Sequence, residues 1–179
     1  MDRKIRYQGE GNMSIGSILL QTSIDTFKSA ERLGYKTLLQ LSYEELHLKP
    51  SPESNSIAII VKHLHGNMLS RWTDFLTTDG EKPSRNRDAE FEEGYDTREA
   101  LLEAWRSGWE LTFETLQELK EEDLLSNITI RGEVHNVIQA ISRQIQHYGY
   151  HVGQIVYIGK QIKDADWQQL SVPKKASRL

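Results

Sequence analysis

Apolar residues recur at intervals of three and four along four stretches of this chain, which is the spacing of amphipathic helices. In the first stretch Ile15, Leu19, Ile24, Phe27, Tyr35, Leu38 and Leu41 follow this rhythm. It predicts a helix over 14–41 with Ser14 as its N-cap. Gly34 falls inside the pattern and weakens the case for an unbroken helix. Ser42 followed by Glu45 suits a capping box for a short extra turn, and Pro50 and Pro52 then stop helical structure. The second stretch carries Ile57, Ile60, Val61, Leu64, Met68, Trp72, Phe75 and Leu76 and predicts a helix over 56–77. A third, over 97–120, has Leu101, Leu102, Trp105, Trp109, Phe113, Leu116 and Leu119 inward, with Asp96 and Glu99 as its capping pair. The fourth, over 136–162, has the stripe Ile141, Ile145, Tyr148, Val152 and Ile155.

Between these stretches the pattern changes. Thr77 to Asp96 is dense in charge and poor in apolar residues, too long for a tight turn, and reads as a functional or mobile loop. The segment NITIRGEVHNV alternates around Arg131 and Gly132, which fits either a short hairpin or an extended connector. The closing DADWQQLSVPKKASRL is mixed and is expected to pack loosely at best. No internal repeat is present. Four long helices around one core predict an all-α fold, a four-helix bundle, as one domain over 1–179. The connections after the first and second helices are long enough to cross the bundle.

Composition narrows the function classes. The chain has 179 residues, 37% of them hydrophobic and 27% charged, enough for a core with little excess. Its net charge is −4 and it has no basic run, which argues against nucleic acid as a partner. With no cysteine there is no disulfide, no thiolate-ligated metal and no cysteine nucleophile. The opening MDRKIRYQGEGNMSIG is basic without an apolar run behind it, so no signal peptide is expected. No stretch approaches the length of a membrane span. The expected location is the cytoplasm.

Chemistry concentrates in the histidines, six in all: His47, His63, His65, His135, His147 and His151. His147 and His151 are four apart, about 400° of helical rotation, so both rings lie on one face a turn apart. One helix can donate two imidazoles to one metal ion at that spacing. The same spacing also arises on helices that bind nothing, with the rings exposed or hydrogen-bonded. Gln144 and Gln154 extend the line at steps of three, at the margin of the apolar stripe. On the second helix His63 lies between Ile60 and Leu64 and points toward the core, with Asn67 one turn on. His65, about 200° round from His63, faces away. The candidate metal ligands are therefore His63, His147 and His151, with Asn67, Gln144 and Gln154 as structural amides or as groups orienting a ligand. His47 and His135 read as ordinary surface histidines, and Trp72, Trp105 and Trp109 as core. Gly149 and Gly153, also four apart, would admit another backbone, in the same bundle or from a partner subunit.

The stretches SIAIIVKHLHGN, with His63, and HYGYHVGQIVYIGK, with His147, His151, Gly153, Gln154 and Ile155, resemble the DinB/YfiT-like superfamily. RWTDFLTTDGEKPSRNRDAEFE and DWQQLSVPKKAS further resemble an uncharacterised bacillus-type subfamily. The resemblance implies a four-helix bundle with long crossover connections, a three-His metal site and a homodimer. Zinc or nickel is the metal it implies first, with iron or manganese next. Characterised members are metal-dependent transferases of low-molecular-weight thiols of the bacillithiol type, and some are isomerases or hydrolases. At the position after the last His, where many members carry Arg, this chain has Val152.

Three imidazoles leave positions on a metal open for water or substrate, the mark of a reactive site. Such an ion lowers the pKa of bound water or deprotonates a bound thiol. Since the chain has no cysteine, a thiolate nucleophile must arrive with a small-molecule cosubstrate. The Thr77–Asp96 loop could cover the mouth, with Arg85 and Arg87 facing an anionic group or simply solvated. The alternative is a metal-binding or stress-associated helical dimer without turnover. A third reading, a helical interaction module without metal, requires His63 to lie far from the other two.

Overall fold

The structure, a computed structural model, describes residues 14–171 except Glu93. The region bearing on a signal peptide and the end of the C-terminal tail lie outside the described residues. Five helices, α1 (Ile15–Leu38), α2 (Tyr43–His47), α3 (Ile57–Trp72), α4 (Arg98–Glu118) and α5 (Val137–Lys163), carry most of the chain. It is not purely helical. Strands β1 (Asn127–Ile130) and β2 (Glu133–Asn136) pair antiparallel, with Ile128 opposite His135. Arg131 and Gly132 between them both have positive φ, 57° and 75°, the pairing of left-handed residues that closes a two-residue hairpin. The hairpin is therefore the correct one of the two readings for NITIRGEVHNV.

Local capping explains where the helices start. Ser14 accepts the Ser17 N–H, Ser42 and Glu45 form a reciprocal capping box, and Asn136 and Gln139 form another. The start of α4 differs from expectation: Thr97, not Asp96, accepts the Ala100 N–H. The helix ends differ more. The first helix stops at Leu38, where the Arg98 guanidinium donates to the carbonyls of Leu38, Leu39 and Leu41 and satisfies its last turn. The helix expected over 56–77 ends at Trp72, and Asp74 beyond it is left-handed at φ 48°. Phe75 still reaches the core from that turn, while Leu76 is exposed.

Gly34 does not interrupt α1. A Cβ there would strike the indole of Trp105, so the glycine buys close approach of α4 rather than a break. The register of the inward face is also one residue from the expected one at its start: Leu20 is buried, while Ile15 is exposed. The core centres on aromatic rings from all four long helices: Phe27, Trp72, Trp109 and Tyr148. Phe27 and Trp109 meet the Tyr148 ring at 5.6 Å and 5.4 Å, and Trp72 Nε1 donates to the Tyr148 hydroxyl at 3.0 Å. The segment after α5 is not loose. Trp167 is buried against α1 and α5, and the Gln40 side chain exchanges two hydrogen bonds with the Gln168 backbone.

The long segment between α3 and α4 folds back over α3. Its 3-10 turn Asp88–Phe91 packs on that helix, and Glu90 is buried there. Gly80 donates to the Thr129 carbonyl, and the Asp79 carboxylate accepts the N–H groups of Arg131 and Gly132 at 2.8 Å each. These bonds tie the segment to the hairpin tip. No helix among the described residues is long and apolar enough to cross a membrane.

Candidate metal centre

His63 on α3 and His147 and His151 on α5 come together, each offering a ring nitrogen within 4.8 Å of the others. The interaction-module reading, which needed His63 remote, is overturned by this. Ring centroids are 5.3 Å apart for His63 and His147, 4.9 Å for His63 and His151, and 4.8 Å for His147 and His151. The Nε2 atoms of His63 and His147 stand 3.2 Å apart. Two nitrogens bound to one tetrahedral zinc at 2.0–2.1 Å each are separated by about 3.3 Å, so this spacing is the edge of such a site.

The outer partners set which nitrogens face inward. His63 Nδ1 lies 2.9 Å from the Glu90 carboxylate, an acceptor, so the proton sits on Nδ1 and the Nε2 lone pair points at His147. His151 Nδ1 lies 2.8 Å from Gln154 Oε1, and the Gln154 amide donates in turn to the Tyr150 hydroxyl at 3.0 Å. The carboxylate behind His63 and the amide behind His151 are the usual kind of support for a histidine metal ligand. Burial depresses the pKa of His147 to about 3, with His151 and His63 adding like-charge repulsion. Burial likewise takes His151 to about 4, against the hydrogen bond that its Nδ1 makes to Gln154 Oε1. At neutral pH His147 and His151 are bare bases that converge with His63 on one point, a donor set that fits a divalent cation.

Glu90 was not legible among the charged residues of its loop. Its two oxygens also take a fork from Arg85, Nε at 2.7 Å and Nη2 at 2.8 Å. Burial alone would raise the Glu90 pKa, but the His63 hydrogen bond and the Arg85 guanidinium outweigh it and hold the carboxyl ionised. The carboxylate sits against Gly66 so closely that a Cβ there would collide with it. Phe91, next in the chain, stacks on the His63 ring at 5.0 Å. The hint in the sequence was an acid beside an aromatic in a polar stretch, a weak signal because nothing periodic marks it.

The remaining candidates divide. Asn67 and Gln144 are buried and line a cavity of about 500 Å³ beside the three rings, while Gln154 serves His151 from outside it. Asn67 Oδ1 and Gln144 Oε1 have no partner. His65 turns to α4, where its Nε2 meets the Ser107 hydroxyl at 3.3 Å. His47 and His135 are half-buried rather than plainly exposed, and His47 Nδ1 is held by the Tyr43 carbonyl at 2.8 Å. Arg85 is committed to Glu90 and Glu81, whereas exposed Arg87 lies over Phe91 at the cavity edge. Gly149 and Gly153 are on the outer face of α5, and among the described residues nothing lies within 4 Å of a Cβ at either.

No curated protein matches the chain in sequence. Solved structures do match in fold. A conserved protein from Enterococcus faecalis is 18% identical with a TM-score of 0.62, over 84% of this chain and 98% of that one. A DinB-like protein from Bacillus cereus is 16% identical with a TM-score of 0.59, over 79% of this chain and 91% of that one. At those identities the likeness is one of fold, and the fold is DinB-like. Residues 14–176 match the model of a family described as proteins of unknown function, DUF1572, and the chain belongs to that family.

Proposed function

We propose that this protein is a divalent-metal enzyme whose ion is held by His63, His147 and His151, and that it acts on small molecules in the manner of low-molecular-weight thiol S-transferases. The observation that carries the reading is the convergence of three imidazoles, with the Glu90 carboxylate against the outer nitrogen of His63. Zinc or nickel suits three neutral nitrogen donors best, with iron or manganese as further occupants. A bound ion would supply Lewis acidity, favouring the thiolate of a cosubstrate or the hydroxide of a bound water. The chain's own residues do the rest. Glu90 and Gln154 orient the ligand rings, Phe91 shields His63 from water, and the adjoining cavity of about 500 Å³ receives a small molecule beside Asn67 and Gln144. The absence of cysteine supports an external thiol.

The architecture belongs with this reading as a crossed four-helix bundle forming a single domain over 1–179, in a cytoplasmic homodimer. The open α5 face at Gly149 and Gly153 supports self-association there.

Metal content by elemental mass spectrometry on untagged protein, beside His151→Ala, tests the site. Near-stoichiometric metal in the wild type and its loss in the variant is the expected result, followed by turnover of thiols with electrophiles by the loaded enzyme. No metal in either protein after purification and titration would remove the proposal.

A further inference from the structure

Five arginines line the cavity beside the histidines, Arg71, Arg85, Arg87, Arg131 and Arg143, and no carboxylate does. The chain as a whole carries a net charge of −4, so this concentration of cations is local. Four of the five are accounted for without a ligand. Arg85 is paired with Glu90 and Glu81, Arg131 reaches Glu81 at 3.5 Å, Arg87 lies over Phe91, and Arg143 is in water.

Arg71 is different. It is only 3% exposed, and its Nε and Nη1 have no hydrogen-bond partner among the described residues. No carboxylate lies within ion-pair distance of it among the described residues. Of the charged groups near it, Arg143, Arg85 and Lys82 repel it, and Glu81 acts the other way. A guanidinium stays charged when buried, and an unpaired buried charge is costly to the fold. The surroundings nevertheless hold it in place. The guanidinium lies against Gly80, where a Cβ would collide with it. Gly80 is pinned by its N–H to the Thr129 carbonyl at 2.8 Å and by the Ser70 hydroxyl to its carbonyl at 3.1 Å. The guanidinium is therefore a buried cation, unpaired among the described residues, at the wall of the cavity.

We infer that Arg71 is an anchor for an oxyanion, the carboxylate or phosphate of a small-molecule substrate whose other end reaches the three histidines. His63, Asn67 and Arg71 follow one another at intervals of four on α3, so they form one line along the cavity wall. Eight residues of helix rise about 12 Å, which sets the scale of the molecule: a compact organic anion, with the buried amides Asn67 and Gln144 along its middle. The inference rests on the metal reading for the role of the far end, while the anion site itself needs no metal.

The test therefore uses the full chain stripped with EDTA. Melting temperature is followed against inorganic phosphate and, separately, succinate at low ionic strength, for the wild type, Arg71→Met, Arg71→Lys and the exposed control Arg106→Gln. The expected result is a saturable rise in the wild type with at least one probe, and which probe acts tells phosphate from carboxylate. Arg71→Met loses the rise yet melts at or above the wild type in anion-free buffer, because it removes an unpaired buried charge. Arg71→Lys keeps a response weaker by about tenfold or more, since a point charge replaces a two-pronged donor. If Arg71→Met fails to fold, Arg71→Lys decides alone. Arg106→Gln responds as the wild type does, and a wild type that responds here but takes up no metal when zinc or nickel is added back after stripping would overturn the metal reading and leave this one standing. No saturable response in the wild type, an undiminished response in Arg71→Lys, or a loss of response in Arg106→Gln would overturn the inference.

Discussion

Replacing Glu90 by glutamine keeps the shape of the side chain and removes its charge, and the consequences can be worked out atom by atom. One Glu90 oxygen accepts from Arg85 Nε at 2.7 Å; the other accepts from Arg85 Nη2 at 2.8 Å and from His63 Nδ1 at 2.9 Å. An amide must present an NH2 in one of those two positions. Facing Arg85 Nε, it sets donor against donor. Facing His63, it donates to Nδ1, so the ring proton moves to Nε2 and the lone pair leaves the histidine cluster. Breaking a buried charge pair costs about 3–5 kcal/mol, but Arg85 keeps Glu81 at 3.1 Å, so a loss of about 2–3 kcal/mol is expected in metal-free protein. Zinc affinity falls about 10–100-fold, the usual effect of losing an outer partner of a metal-bound histidine. Adding Arg85→Met separates the two effects. With both charges gone, stability returns to within about 1 kcal/mol of the wild type, while zinc affinity stays low. Urea melts of metal-free protein read the first quantity, and competition with a chromogenic chelator reads the second. Wild-type zinc affinity in Glu90→Gln, or a double variant no more stable than the single one, would refute the reasoning.

Two further outcomes follow from the packing. Partial burial pushes the Asp79 pKa up, but hydrogen bonds from the backbone of Gly132, Glu81 and Arg131 and from the Thr129 hydroxyl win and hold it at about 2. A depressed carboxyl pKa stabilises the fold above its ordinary value near 3.9 and ceases to do so as pH falls through the depressed one. Asp79→Ala should therefore cost about 1 kcal/mol at pH 7, after discounting for the solvent that reaches this site, and the gap to the wild type should narrow steadily below pH 4 in urea melts. Gly34→Ala sets two effects against each other. A helix interior gains about 1 kcal/mol from alanine, but the added methyl meets the buried Trp105 indole, and overpacking costs about 1–3 kcal/mol. A net lower melting temperature is expected, and a higher one would show that the indole has room to move.

Much of the architecture is legible along the chain because it is written in short-range terms. Helix periodicity, the capping serines Ser14 and Ser42, and the four-residue step from His147 to His151 depend only on residues within a turn or two of each other. These relations placed all four long helices and put three histidines on inward-facing positions. They failed where a distant group decides the outcome. The end of α1 is set by Arg98, which arrives from α4, and the continuity of α1 through Gly34 is set by an indole from the same helix. The polar segment after α3 looked like a cover of no fixed place, because charge without period carries no address. Folding it onto α3 puts Glu90 behind His63 and the turn at Gly80 over Arg71.

The sequence by itself therefore determined which side chains could bind a cation and on which helices they lie, since helical geometry is a local property. Only the tertiary structure decided that His63 meets the other two, that its proton is held outward by Glu90, and that Arg71 is buried without a partner. Those facts depend on distances between segments far apart in the chain, and such distances are fixed by how the whole core closes, not by any window of residues.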